Sequence, residues 1–370
     1  MKKNMQKGQF QKMDRRTFLK EGGAIGVEAA AALGTPEITS VHGKDSREKI
    51  DLFCHILPPK YNEALLKKGK RSFNLEANSI RPELVDLNLR FKTLDKFEGL
   101  KQVLTLGAPA VESAFPPGDV VDMARVANDG MAEIVSKYPD HFVAAVASLP
   151  MSDMDASLLE AERTIQELKF KGIQLFSSIN GKPLDSPEFL GLYEMMTQYD
   201  LPILIHPCKE REVPDYPGEK ASKYALFLAF AWPFETTLAM GRLVYSGVME
   251  KYPNLKIVAH HCGAMIPFFS SRIQMVAAAG EGEIMKLTKP PVEYFKRFYG
   301  DTVLGGNTSA LMCGFTFFGA EHMVFSTDYP YTGADFGVAA VIKGIEGMNI
   351  TNEEKAKVFS KNVRQLLKLA

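Results

Sequence analysis

Four residues could share a metal: His55, His206, His261 and Asp328. Each stands just before a turn signal, namely Pro58-Pro59, Pro207, Cys262-Gly263 and Pro330. A neutral imidazole and a carboxylate are the common ligands of zinc and also serve iron and manganese. An ion held by three protein ligands keeps positions open, acidifies water and polarises a carboxylate or carbonyl oxygen. An unliganded histidine beside it moves protons. One such histidine alone is more often a hydrogen-bonded structural residue. Three with an aspartate, all at the ends of β-rich runs, point to a shared site.

Those runs define the elements that must bring the four together. From Lys49 onward the pattern predicts strands at Lys49–His55, Gln102–Gly107, Phe142–Ser148, Gly172–Phe176, Pro202–His206, Lys256–His261, Phe298–Val303 and Met323–Ser326. Helix-period stretches fall between them at Val120–Lys137, Met154–Leu168, Pro187–Tyr199, Phe234–Lys251 and Ala334–Gly347. Strands alternating with helices of this length imply βαβ units and a parallel sheet. Eight of them predict an α/β fold of the (β/α)8 TIM-barrel type, in one domain spanning residues 49–370. On such a barrel the C-terminal strand ends share one mouth, where active sites lie. The weakly periodic stretch from Pro207 to Trp232 reads either as a loop over that mouth or as a surface excursion.

The composition suits this fold. The chain has 370 residues, 44 Lys plus Arg against 44 Asp plus Glu, 46% hydrophobic and 24% charged residues. A net charge of zero argues against a nucleic-acid partner, because phosphate-tracking surfaces need patterned positive charge. Four cysteines do not make a disulfide scaffold. No apolar run approaches the ~18 residues of a membrane span.

Residues 1–40 read as an address. A basic stretch ends in Asp14-Arg15-Arg16-Thr17-Phe18-Leu19-Lys20, followed by small and apolar residues from Gly22 to Leu33, with Ala30 and Ala32 as an exit site. That is the layout of an export signal, and Arg15-Arg16 resembles the twin-arginine type. The expectation is a periplasmic or otherwise exported protein, with the twin-arginine translocase as a partner. A disordered basic tail is the plainer reading.

The strand-end stretches also carry a family resemblance. Ile50–Pro58, Gly172–Ser178, Leu201–Pro207, Ala259–Pro267 and Phe325–Pro330, in this order and at these separations, resemble the amidohydrolase superfamily. The similarity is to the branch of aminocarboxymuconate-semialdehyde decarboxylase and the aromatic-acid decarboxylases. By that resemblance His55, His206 and Asp328 are metal ligands. His261 is the catalytic histidine, preferred to His260 because it stands six residues before Pro267. Arg90 is the residue that binds a substrate carboxylate, the plainer reading being an exposed helix face. The cofactor implied is one divalent metal, Zn2+ foremost with Mn2+ second, and the assembly implied is a homo-oligomer, a dimer.

The pattern is broken at Phe53, where the family usually has a first histidine. Phe53 and His55 are two apart and face the same side of a strand, and a phenyl ring cannot ligate. Asp51, further down that face, and Cys208, two residues past His206, are weaker substitutes. No lysine in Gly172–Phe176 offers a carbamylated bridge, which favours one metal over two. Trp232 could stack on a planar substrate, though helix packing is the plainer role.

The leading expectation is a metal-dependent, non-oxidative decarboxylase (a carbon-carbon lyase) acting on a small aromatic or unsaturated carboxylic acid, with His261 and Asp328 as catalytic groups. A hydrolase or hydratase acting on a lactone, amide or C=C bond would use the same residues. A third reading is a non-catalytic ligand-binding barrel.

Overall fold

The computed structural model describes residues 48–280 and 287–369; the signal segment expected over 1–40 lies outside the described residues. Eight parallel strands follow one another around a barrel. They are β1 (Lys49–Ile56), β2 (Leu100–Leu106), β3 (Phe142–Ala145, continued by Ala147–Ser148), β4 (Ile173–Phe176), β5 (Ile203–His206), β6 (Ile257–Ala259), β7 (Tyr299–Asp301) and β8 (Met323–Val324). Ladder pairing runs β1-β2-β3 and β3-β4-β5-β6-β7-β8. The seam between β1 and the chain around β8 is closed by backbone bonds: Leu52 N–H to Phe325 O at 2.9 Å, His55 N–H to Tyr329 O at 2.7 Å and Asp328 N–H to Phe53 O at 3.0 Å. The α/β barrel expected from the alternation is the fold observed.

The strands are buried on both faces, as a parallel sheet wrapped in helices requires. Ile50, Leu52, Phe53, Val103, Val146, Leu204, Val258 and Val324 belong to one interior cluster. The outer helices pack a larger apolar layer against the strands' other faces. Helix α1 (Pro59–Lys68) follows β1, and α2 (Phe73–Asn78) and α3 (Leu87–Leu94) precede β2. Ser72 caps α2, and Asp86 caps α3 through the amides of Asn88 and Leu89. Both caps satisfy amides that a helix start otherwise leaves open.

Val120–Lys137 is the helix expected there, α4. The stretch expected as Phe234–Lys251 is two helices, α5 (Trp232–Tyr245) and a short one at Val248–Lys251, parted at Gly247 with φ 84°. Helix α6 (Ser270–Ala279) follows β6. The sixth strand is shorter than expected: it ends at Ala259, and His261 and Cys262 turn into left-handed backbone with φ 54° and 57°.

Candidate metal centre and active site

His55 is the penultimate residue of β1 and is fully buried. Its Nδ1 lies 3.2 Å from the Leu106 carbonyl and 3.0 Å from the Thr105 hydroxyl. That hydroxyl gives its own proton to Cys54 O. Both neighbours therefore accept, the ring proton sits on Nδ1, and Nε2 keeps a bare lone pair. His206 ends β5 in the same state, its Nδ1 donating to Pro207 O at 2.6 Å. Such fixing of the far ring nitrogen is the usual mark of a metal-ligating histidine.

Asp328 lies just past β8 at φ 60°. Aspartate enters this left-handed region more readily than most residues, and the turn carries its carboxylate across the mouth. Oδ1 stands 3.1 Å from His55 Nε2, and neither atom has a hydrogen-bond partner among the described residues. Ligand atoms of His55, His206 and Asp328 all lie within 4.8 Å of one another. Burial holds both imidazoles down at about 4 and pushes Asp328 up to about 7. Two neutral imidazoles and an unpartnered buried carboxylate suit a divalent cation, whose charge offsets the cost of burying the anion.

Phe53 faces the same space, as expected. Its ring centroid is 4.6 Å from that of His260, 5.6 Å from His55 and 5.7 Å from His206. It walls off one side of the site without ligating. Asp51 is not a substitute ligand. Its carboxylate accepts from the Thr327 amide at 3.0 Å, the Thr327 hydroxyl at 2.5 Å and Gln102 Nε2 at 3.2 Å, tying β1 to the turn after β8. Cys208 turns aside too, its Sγ lying 3.3 and 3.4 Å from the hydroxyls of Ser177 and Ser178.

Two expected roles need correction. The histidine facing Asp328 is His260, not His261: His260 Nε2 is 4.0 Å from Asp328 Oδ1 and has no hydrogen-bond partner among the described residues. Its ring stacks on His206 at 4.9 Å and 27°. The expected strand would have carried both residues, but the chain leaves β6 at Ala259 and puts His261 in the left-handed turn, its ring against the ring of His260. Arg90 is also misassigned. It is fully buried, donating Nε to Gln102 Oε1 at 2.9 Å and Nη1 to the His55 carbonyl at 2.7 Å. The guanidinium lies over the rings of Tyr329 and Phe142. It braces the backbone of His55.

The sequence reading missed Asp301. This fully buried residue ends β7 and accepts His260 Nδ1–H at 2.5 Å on Oδ2, and the amides of Cys262 and Val303 on Oδ1 at 2.9 and 3.1 Å. Burial raises it to about 6. It fixes His260 with Nε2 bare, the arrangement of a general base or acid. The rule used for the other residues, a polar side chain at a C-terminal strand end, would have found it. Also missed was Tyr331, whose ring lies 5.2 Å from that of His55 and whose hydroxyl donates to Asn78 Oδ1 at 2.6 Å. Arg81 spends three N–H donors on the carbonyls of Ala77 and Tyr331, and its charge reaches Asp328. Trp232 donates to Lys209 O at 2.9 Å and turns its ring to His206 at 5.7 Å, so it packs and borders the site at once.

A barrel with imidazoles and a carboxylate converging at its C-terminal mouth is the architecture of a metal-dependent enzyme. Residues 100–369 match the model of the amidohydrolase family. The chain is 31% identical to gamma-resorcylate decarboxylase from Polaromonas sp., over 78% of this chain and 90% of that protein. It is 28% identical to 2-amino-3-carboxymuconate-6-semialdehyde decarboxylase from Dictyostelium discoideum, over 83% of this chain and 88% of that protein. Among solved structures it resembles a dihydroxybenzoic acid decarboxylase from Polaromonas sp. JS666, solved with bound manganese and the inhibitor 2-nitroresorcinol. The TM-score is 0.70 and the identity 26%, covering 87% of this chain and 97% of that one. The chain belongs to the amidohydrolase family, in its aromatic-acid decarboxylase branch.

Proposed function

We propose that this protein is a metal-dependent, non-oxidative decarboxylase of a small aromatic carboxylic acid. The observation that carries this reading is the convergence of His55, His206 and Asp328 on one point, in a chain whose relatives are decarboxylases. Bound there, a divalent cation would supply the positive charge that draws the oxygens of an acidic substrate; the metal is Zn2+ in our reading, with Mn2+, present in the Polaromonas structure, as the second choice. His55 and His206 offer Nε2, and Asp328 offers Oδ1. His260, oriented by Asp301, gives or takes a proton at Nε2 beside the reacting carbon. The bond from that carbon to its carboxylate breaks, carbon dioxide departs, and the carbon's electron pair takes the proton. Arg81, rather than the sealed Arg90, is the guanidinium that can steer an anion toward Asp328.

The test is release of carbon dioxide from a panel of hydroxybenzoates by metal-loaded protein. His260→Asn should lower turnover by roughly 10²–10⁴-fold while metal content stays at the wild-type level. His261→Asn should keep most of the activity. No carbon dioxide from any acid, together with turnover of lactones or amides, would establish the hydrolase reading instead.

Three further parts of this reading concern the protein in its setting. Residues 1–40 are a twin-arginine signal and the barrel domain begins at residue 49, so the enzyme works outside the cytoplasm. Arg15→Lys with Arg16→Lys should leave it in the cytoplasmic fraction. The protein is a homodimer. That is supported by α6, which has no fully buried residue among the described ones and exposes Met275 and Val276. Beside it runs a groove of about 730 Å³ lined by Phe234, Leu238, Tyr245, Ile266 and Phe269.

A further inference from the structure

We infer that Glu235 is a positioning residue that sets the ring state of the metal ligand His206. Glu235 stands in the first turn of α5. A single oxygen, Oε2, accepts three hydrogen bonds: from the amides of Cys208 at 2.8 Å and Lys209 at 2.7 Å, and from the Ser177 hydroxyl at 3.1 Å. Those donors flank His206 on both sides. Cys208 and Lys209 follow Pro207, whose carbonyl accepts His206 Nδ1–H. Ser177 follows β4, and its amide donates to the His206 carbonyl at 2.8 Å.

The carboxylate therefore ties together the two chain segments that hold His206. One presents the acceptor that keeps the ring proton on Nδ1, and the other fixes the backbone from which the ring projects. Trp232, one turn earlier on α5, adds a clamp by donating to Lys209 O. Without Glu235 two amides lose a charged acceptor, the Pro207–Lys209 segment is released, and its carbonyl can rotate away from Nδ1. The imidazole is then free to take the other tautomer, with its proton on Nε2, where it cannot ligate. Partners of this kind, behind the ligands, typically govern metal affinity by 10–100-fold.

This rests on the reading of His206 as a ligand but not on the reaction catalysed. The test is the affinity of purified apoprotein for Zn2+ alone and Mn2+ alone, by competition with a chromophoric chelator. It is paired with ¹⁵N NMR of the His206 ring in metal-free protein. Glu235→Ala, and Glu235→Asp, whose shorter arm cannot reach the same donors, should each weaken binding about 10–100-fold and move the ring from the Nδ1–H form to a mixture. Glu235→Gln keeps an oxygen at the same reach and should recover most of the affinity. Thr237→Ala, on the same helix as Glu235, removes the hydroxyl that accepts from the Met265 amide and should bind as wild type.

The inference is overturned if folded Glu235→Ala or Glu235→Asp binds within twofold of wild type with an unchanged ring signal. It is equally overturned if Thr237→Ala loses as much. A wild-type protein that binds neither ion would remove the metal reading, while the ring signal would still decide the role of Glu235.

Discussion

The difference between Arg90 and Arg81 shows how an ionic side chain's role follows from how far it is sealed from solvent. Arg90 is sealed, and its bonds hold the carbonyl of His55 and the Oε1 of Gln102. Arg90→Met should therefore destabilise the fold by about 2–4 kcal/mol with KM nearly unchanged, as chemical denaturation and kinetics on the same samples would reveal. Arg81→Gln should raise KM instead, because its half-buried charge reaches Asp328. Phe53 permits the opposite experiment. Its ring stands within 5.7 Å of three imidazoles, so Phe53→His should add a ligand and tighten Zn2+ binding by on the order of tenfold or more, measured by chelator competition.

The convergence of His55, His206 and Asp328 was legible because strand periodicity puts residues at strand ends on the barrel mouth. His260 was not. Choosing between His260 and His261 depends on where β6 stops, and a left-handed turn at non-glycine residues leaves no mark in hydrophobic periodicity. Arg90 was misread for a related reason. A charge on a helix-period run looks solvent-facing until the partners that let it be buried, Gln102 and the His55 carbonyl, are known.

At the level of elements, the segments linking strands to helices carry most of the chemistry and some of the instability. Glu112, in the Val111–Ala114 turn after β2, is one such case. It is 7% exposed, and burial pushes its carboxyl up to about 7 from an ordinary 4.5. The folded chain keeps this proton at pH values where the unfolded chain has released it. Stability from this group is thus complete below about 4.5 and lost as pH rises through about 7. Glu112→Gln carries no such loss. It should match wild type near pH 4 and exceed it by about 3 kcal/mol above pH 8, read from urea unfolding at several pH values. The strands themselves were legible to within a few residues, since β-rich runs and helical stretches alternate cleanly. The break at Gly247 was not, because the hydrophobic pattern continues across it into Val248 and Met249.

For the whole molecule, the apolar surface near α6 is the feature a lone barrel does not explain. Phe268 is 76% exposed and Met275 60% exposed, more than scattered surface residues require. Phe268→Ser with Met275→Glu should convert a dimer into a monomer by light scattering, with the barrel's circular dichroism unchanged. A wild-type protein that is already monomeric at micromolar concentration would refute the dimer.

The barrel closes where its first strand meets its last, and this has a bearing on how the protein is made. His55 is synthesised early, His206 and His260 midway, and Asp328 near the end; only when β8 docks against β1, through Asp51 and Thr327, does the carboxylate meet the imidazoles. Domains fold as units during synthesis, so a growing chain holds the histidines before their carboxylate is in place. The complete set of three converging side chains therefore first exists in the finished barrel. On the proposed metal reading, the ions available where folding ends would count alongside ligand type and geometry in deciding which one is loaded.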